Sequence, residues 1–433
     1  MSKKIIIISI VSLLFMNIVY ADNIYTSENK IVEDSIIDKA SYKSSTAMQN
    51  ALLVEDGSSI INNISLYKTG DYYEDKYGIN SGLLVTNGVL NINGGIIKTE
   101  GKYSNAISSY KTGIININNV IITTNKDNSN GIMAYSGNVS INNADISTFA
   151  DYSCAIKNNT DSIIKVDSGT YKTNGLYSPV VYATSDITIN NSTLESKHSE
   201  GIVVDGSSVI LSNSKLINNH DVLDKNIETY KNIYILNSDL NTSKFYAIDS
   251  EITTNSGYTF YTNANSIINL TNNKISNNND KFLKIYDDIK VTLNLNNQKI
   301  NGNIEISNSS LDLNINNNSV FSGFINNDNE AKDITLNLDL TSKIILTNDS
   351  YINKLNNETS NNSNIYLNGY KLYVNGIEIE GNNKKYEEIN NELIINENAT
   401  SVNYPILIIV ICLSISIIVI IIILIKNRIE RFR

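Results

Sequence analysis

Tyrosine is the residue type in this sequence best suited to meet a ligand. The chain has 26 of them and no tryptophan. Tyr103, Tyr152 and Tyr177 recur at one position of an internal repeat, and Tyr110 and Tyr135 at another. A phenol ring offers an apolar plane and a hydroxyl together, so a column of exposed rings on a flat β-face could receive sugar rings. The same spacing also suits an ordinary cross-strand aromatic ladder, which needs no ligand.

Catalytic chemistry is harder to assemble. Glycoside hydrolysis needs two carboxylates facing each other across a cleft. Asp145, Asp167 and Asp186 fall in different columns of the repeat, and no facing pair emerges. A polysaccharide lyase would need carboxylate-bound calcium beside an Arg or Lys base. The arginines are Arg428, Arg431 and Arg433, all at the extreme C-terminus. His198 and His220 fall in turns of different coils and read as surface polar residues. The acidic tyrosine insertion from Asp71 to Asp75, and the stretch near Asp221 and Asp224, read as solvated loops. Cys154 reads as a small, half-buried residue rather than a reactive thiol. No catalytic residue, cofactor or metal site is expected.

The elements that position these residues come from the repeat. Ile92-Asn93-Gly94-Gly95-Ile96-Ile97 returns as Ile117 to Ile122, Ile141 to Ile146, Val166 to Tyr171, Ile189 to Leu194 and Leu211 to Leu216, at steps of 22–25 residues. Further matches begin at Ile61 upstream, and downstream at Ile235, Leu270, Leu295, Ile306 and Ile315. Apolar residues bracket polar turn formers. Asn, Asp, Gly and Ser tolerate a left-handed backbone and make Asx turns. Asn in one column of successive coils can also pass hydrogen bonds from amide to amide. A further apolar position follows at Ile107, Ile132, Ile156 and Val181, preceded each time by a serine-led turn. Each repeat therefore carries about three short strands, too few to bury their own apolar face unless coils stack. The expected fold is all-β: a single-stranded, right-handed parallel β-helix over residues 50–381, preceded by an N-terminal segment and cap at 22–49.

The ends of the chain suggest export. Lys3 and Lys4, the apolar run Ile5 to Val19, and Val19-Tyr20-Ala21 make the three-part pattern of a signal peptide over 1–21. Ile406 to Ile425 carries no charge and is long enough to cross a hydrocarbon core of about 30 Å as a helix. A transmembrane helix is therefore expected over 405–425, with a stalk at 382–404. The tail 426–433 is basic and should stay cytoplasmic. The expected location is the cell membrane, single-pass, with the N-terminal domain extracellular and the C-terminus cytoplasmic. Cys154 and Cys412 would then lie in different compartments and could not pair within one chain. The net charge of −10 opposes a nucleic-acid partner.

Asn80 to Gly88, Gly169 to Ile189, Glu200 to Gly206 and Leu372 to Gly376 resemble segments of adhesin-like β-helix surface proteins of anaerobic bacteria. The likeness spans roughly residues 50 to 380. It implies the same fold and a surface location, and says little about a ligand. The chain departs from that pattern in having an apolar span where a wall-sorting signal would stand. Together these readings lead us to expect a non-enzymatic, membrane-anchored surface protein in adhesion or envelope structure, with surface glycans or extracellular matrix as partners. The alternative is a membrane-tethered polysaccharide lyase or glycoside hydrolase.

Overall fold

The structure is a computed structural model that describes residues 25–159, 161–220, 230–236, 242–384 and 386. The expected signal peptide, nearly all of the stalk, the apolar span with its tail, and Asp221 and Asp224 lie outside the described residues. No described helix is long and apolar enough to cross a membrane. The fold below is that of the described residues within 1–385.

This region is an all-β parallel solenoid of right-handed sense, with about 14 coils. Parallel rungs stack at about 4.8 Å, so the stack runs roughly 65 Å. Each regular coil has a short strand, an exit turn, a long strand and an entry turn leading to the next coil. The short strands form a twelve-stranded parallel sheet. Leu83, Ile107, Ile132, Ile156, Val181 and Ile202 occupy one column of it, pairing coil to coil. The long strands, such as Ile114–Thr124 and Asn138–Thr148, pair in register over nearly their full length. Their inward residues alternate, as period-2 geometry requires: Ile115, Ile117, Val120 and Ile122 are all buried.

A bend divides each long strand, and it explains the polar centre of the repeat. Asn63, Asn119, Asn143, Asn191, Asn213, Asn272 and Asn297 all take φ between 47° and 56° there. Asparagine bears a left-handed backbone more cheaply than most residues. In two coils the corner residue is Gly94 or Ser168 instead, at φ 76° and 67°, each followed by a glycine at φ 114°; an added Cβ on the second of these, Gly169, would stand 2.2 Å from the Ala144 carbonyl oxygen. The asparagine ladder expected from the sequence is present. Asn93, Asn118 and Asn142 each donate to the asparagine one coil back, at 3.0, 3.1 and 3.3 Å. A second ladder runs from Asn356 through Asn337, Asn314 and Asn294 to Asn269, at 2.6–2.7 Å. Serines do the same for the backbone in the entry turn. The amides of Ser104, Ser129 and Ser153 donate to the hydroxyls of Ser129, Ser153 and Ser178.

The core is aliphatic for most of the stack, then aromatic where the coils become irregular. Phe260 packs edge-on between Phe245 and Phe282, both centroids 5.6 Å away. Burying such a side chain stabilises by about 1.5–3 kcal/mol.

Two repeat assignments are corrected. Ile235 and Ile306 belong to the short-strand sheet, pairing with Val204 and Ile285. The partner of Leu211 in the long-strand column is Ala247, and that of Leu295 is Ile315. Alternating apolar residues followed by Asn and Ser look alike in either sheet, so the pattern alone does not say which one a strand joins. The stack also begins ahead of residue 50. Thr26–Ile31, Ser35–Asp38 and Ser41–Ser44 already pair in parallel with the next coil. At the other end Leu372–Val374 turns back on Ile377–Glu378 as an antiparallel pair, and one last parallel bridge joins Tyr366 to Asn382.

Candidate functional site: tyrosines on the turns and on the short-strand sheet

Tyr103, Tyr152 and Tyr177 lie in the entry turns, in one column that Asn128 shares. The Tyr103 amide donates to the Asp127 carbonyl, that of Asn128 to Asp151, and that of Tyr152 to Leu176. All four residues are left-handed, with φ between 52° and 58°. Asn128 separates Tyr103 from the other two. Tyr152 and Tyr177 are adjacent, with ring centroids 5.1 Å apart and planes 12° from parallel. Both are about half exposed, at 54% and 51%.

Tyr110 and Tyr135 also share a column, in the exit turns, and meet edge to face at 6.4 Å. Their surroundings differ from the other column. The lengthened entry turn 69–82 lies as a strap against the short-strand sheet. Asp71, Tyr73, Glu74 and Lys76 face solvent, as a loop was expected to, whereas Asp75, though exposed as a whole residue, turns its carboxyl inward onto Tyr135. Its inner part packs: Gly78 sits against Leu84 and Ser108, and Ser81 bonds the Ser108 hydroxyl at 2.6 Å. Tyr77 stacks on Tyr110 at 4.8 Å. Tyr135 is only 5% exposed, and its phenol donates to the Asp75 carboxylate and accepts from Asn105. Burial pushes the Tyr135 phenol well above its ordinary range, with Asp75 adding to the effect. Tyr135 thus presents its ring to the strap.

Beyond the strap, the outward column of the short-strand sheet runs Lys157, Tyr182, Val203, Tyr234, Tyr261, Lys284 and Glu305. These tyrosines are half-buried and tied together. Tyr234 and Tyr261 lie 5.8 Å apart, and Tyr286 is 4.9 Å from Tyr261. The Lys231 ammonium sits over both Tyr234 and Tyr261, at 4.4 and 5.4 Å, and pairs with Glu200 at 3.3 Å. Glu305 accepts from the Tyr258 phenol at 2.7 Å and from Lys284 at 3.2 Å. Asp205 accepts from the Tyr182 phenol at 3.1 Å. Burial, reinforced by these carboxylates, raises the Tyr182 and Tyr258 phenols far above their ordinary values, so both stay protonated.

This cluster is not legible in the repeat. Its members come one residue after the apolar column position, but the coils between Ile202 and Leu283 vary in length, so no fixed period links them.

The remaining candidates offer less. His198 and His220 fall in register, since Ser196 pairs with Asn218 two residues earlier. His220 is buried rather than on the surface, with its ring edge-on to Tyr230 at 4.4 Å. Burial lowers its pKa to about 4, against the pull of Glu200, so it is neutral near pH 7. Cys154 is buried and its thiol is pushed up to about 11, chiefly by burial. It is therefore a thiol and not a nucleophilic thiolate near neutral pH. Asp145, Asp167 and Asp186 do stand in different columns, beside Thr170, Asn142 and Ile163 respectively. Among the described residues no group of three His, Cys, Asp or Glu could hold a metal ion. A shallow trough of about 540 Å³ lies on the long-strand face, floored by polar residues including Asn116, Asn118, Asn142 and Asn190, and holds no aromatic side chain. In comparisons with known proteins, no family model, curated protein or solved structure matches this chain.

Proposed function

We propose that the chain is a non-enzymatic cell-surface solenoid, held in the membrane by its 405–425 segment and serving adhesion or envelope structure. The observation that carries this reading is the Tyr152–Tyr177 pair. Two large rings stand half exposed at turn positions where the backbone is left-handed. Asparagine or glycine would fill those positions at lower cost. Their placement serves contact better than it serves folding. The signal-peptide pattern, the apolar span with its basic tail, and the resemblance to adhesin-like β-helix surface proteins support display on the outside of a cell.

The test is made on cells expressing the full chain. External protease should release solenoid fragments from intact cells, and deletion of the gene should reduce attachment to matrix or to sister cells. Protection of the solenoid from external protease would overturn the location. Release of reducing or unsaturated sugars from a polysaccharide by the purified chain would overturn the non-enzymatic reading and establish a tethered lyase or hydrolase.

A further inference from the structure

The short-strand sheet changes character along its length. Its outward column is aliphatic or small where the strap covers it, at Leu84, Ser108 and Met133, each at most 1% exposed. Past the strap the column turns to half-buried tyrosine, lysine and glutamate. The rings there are braced by one another and by Lys231, and so are held in place before any ligand arrives. Preorganised groups lose little freedom on binding.

We infer that this stretch of the sheet, centred on Tyr234 and Tyr261 and flanked by Tyr182 and Tyr286, binds an uncharged polysaccharide. Three observations select that ligand class. First, the charges are balanced locally: Lys231 pairs with Glu200, and Lys284 with Glu305. A strongly charged polymer would find no uniform field to draw it in. Second, the only aliphatic side chain in this part of the column, Val203, is itself 3% exposed. A protein partner would have to strip water from both ion pairs, which is unfavourable. Third, phenol planes lie beside carboxylates and an ammonium. Sugar rings can stack on the planes while their hydroxyls replace water around the charges. The inference rests on the adhesive reading only in requiring this face to be open outside the cell.

The test uses the full-length chain in detergent. The probes are the uncharged polymers galactomannan, xyloglucan and laminarin, with polygalacturonate and heparin as charged controls. With no tryptophan in the chain, tyrosine emission reports ring contacts directly. The expected result is a saturable emission change with at least one uncharged polymer and none with the charged ones. Tyr261→Ala should weaken binding about tenfold or more, Tyr261→Phe by much less, and the pair Tyr152→Ala and Tyr177→Ala hardly at all. Circular dichroism and thermal unfolding establish that each variant folds. If Tyr261→Ala does not fold, Tyr182→Ala and Lys231→Gln take its place, each expected to weaken binding severalfold. Binding of the charged polymers alone, binding of none, or undiminished binding by the folded variants would overturn the inference. If the Tyr152 and Tyr177 variants lose binding while the sheet variants keep it, this inference fails and the adhesive reading stands. If cells attach through the chain but capture by matrix protein, and not by glycan, accounts for it, the inference likewise fails alone.

Discussion

Tyr152 and Tyr177 lie one coil apart, ring on ring at 5.1 Å, and both hold a left-handed backbone. The stack returns some stability, about 0.5–1.5 kcal/mol for an aromatic pair. The backbone takes some away, since such conformations cost non-glycine residues about 1–2 kcal/mol. Tyr152→Asn loses the first and relieves the second, so stability should stay within about 1 kcal/mol of wild type. Tyr152→Val loses the stack and adds a β-branched side chain, and should cost about 1–2 kcal/mol more. Denaturant midpoints measure both; a valine variant as stable as the asparagine one would contradict this account.

Asn314 donates to Asn294 and accepts from Asn337, each at 2.7 Å. Tyrosine fluorescence followed through a urea transition should show Asn314→Ala destabilised by about 1–3 kcal/mol, the sum of two modest hydrogen bonds. Asn314→Asp should be worse near neutral pH, because a carboxylate would face the Asn294 carbonyl oxygen, and should recover as acid protonates it. An aspartate variant equal to wild type near pH 7 would show that the ladder is decorative.

Lys68 is a lysine inside the solenoid, 0% exposed, with its ammonium donating to the carbonyls of Thr46 and Gly70 at 2.9 and 3.1 Å. Burial lowers its pKa from 10.5 to about 8, partly offset by Asp71. The unfolded chain therefore binds more protons than the folded one between those values, and the stabilising contribution is complete above 10.5 and lost as pH falls through about 8. Relative to Lys68→Met, which cannot titrate there, wild-type stability should rise by about 2 kcal/mol between about pH 7 and about pH 9.5. Parallel unfolding curves for the two chains would refute it.

Asp75 behaves oppositely. Burial of its carboxyl group raises the pKa above 3.8, against the lowering effects of Tyr135, Lys157 and Asn105. The folded strap thus holds its proton more tightly than the unfolded chain does. The resulting stabilisation is present below 3.8 and is lost as pH rises through the folded value. Hydrogen exchange at residues 71–78, corrected for intrinsic rates, should show the strap opening more readily near neutral pH than in acid. Asp75→Asn should abolish that difference. Asp75→Ala should loosen the strap at every pH, since it leaves the buried Tyr135 phenol without its acceptor.

Local regularity decided how much of this was legible in the sequence. From Ile92 to Leu216 every coil bends at the same column, and the bracket of apolar residues around it marks the ladder; the three short strands expected per coil are two, because the chain stays paired through the bend and makes one long strand. At Ile235 and Ile306 coil length changes and a short strand carries the same apolar–polar alternation as a long one, so the pattern does not show which sheet each joins. Tyr152 and Tyr177 were visible because they sit at a fixed offset in regular coils. Tyr182, Tyr234 and Tyr261 were not, because the coils that align them differ in length. The inward turn of the Asp75 carboxyl was also invisible: Asp75 and its anchor Tyr135 are two coils apart, and nothing in sequence spacing links them.

The left-handed asparagine corner also bears on how such a protein can change over time. Every bond of the ladder joins a coil only to its immediate neighbours, and the two faces of a regular coil carry matching chemistry. Removing or duplicating one complete unit, such as residues 114–137, would rejoin like with like and leave both termini of the stack intact. Length is therefore adjustable in steps of one rung, about 4.8 Å, and the stack can grow or shrink by unequal recombination without a new fold being needed.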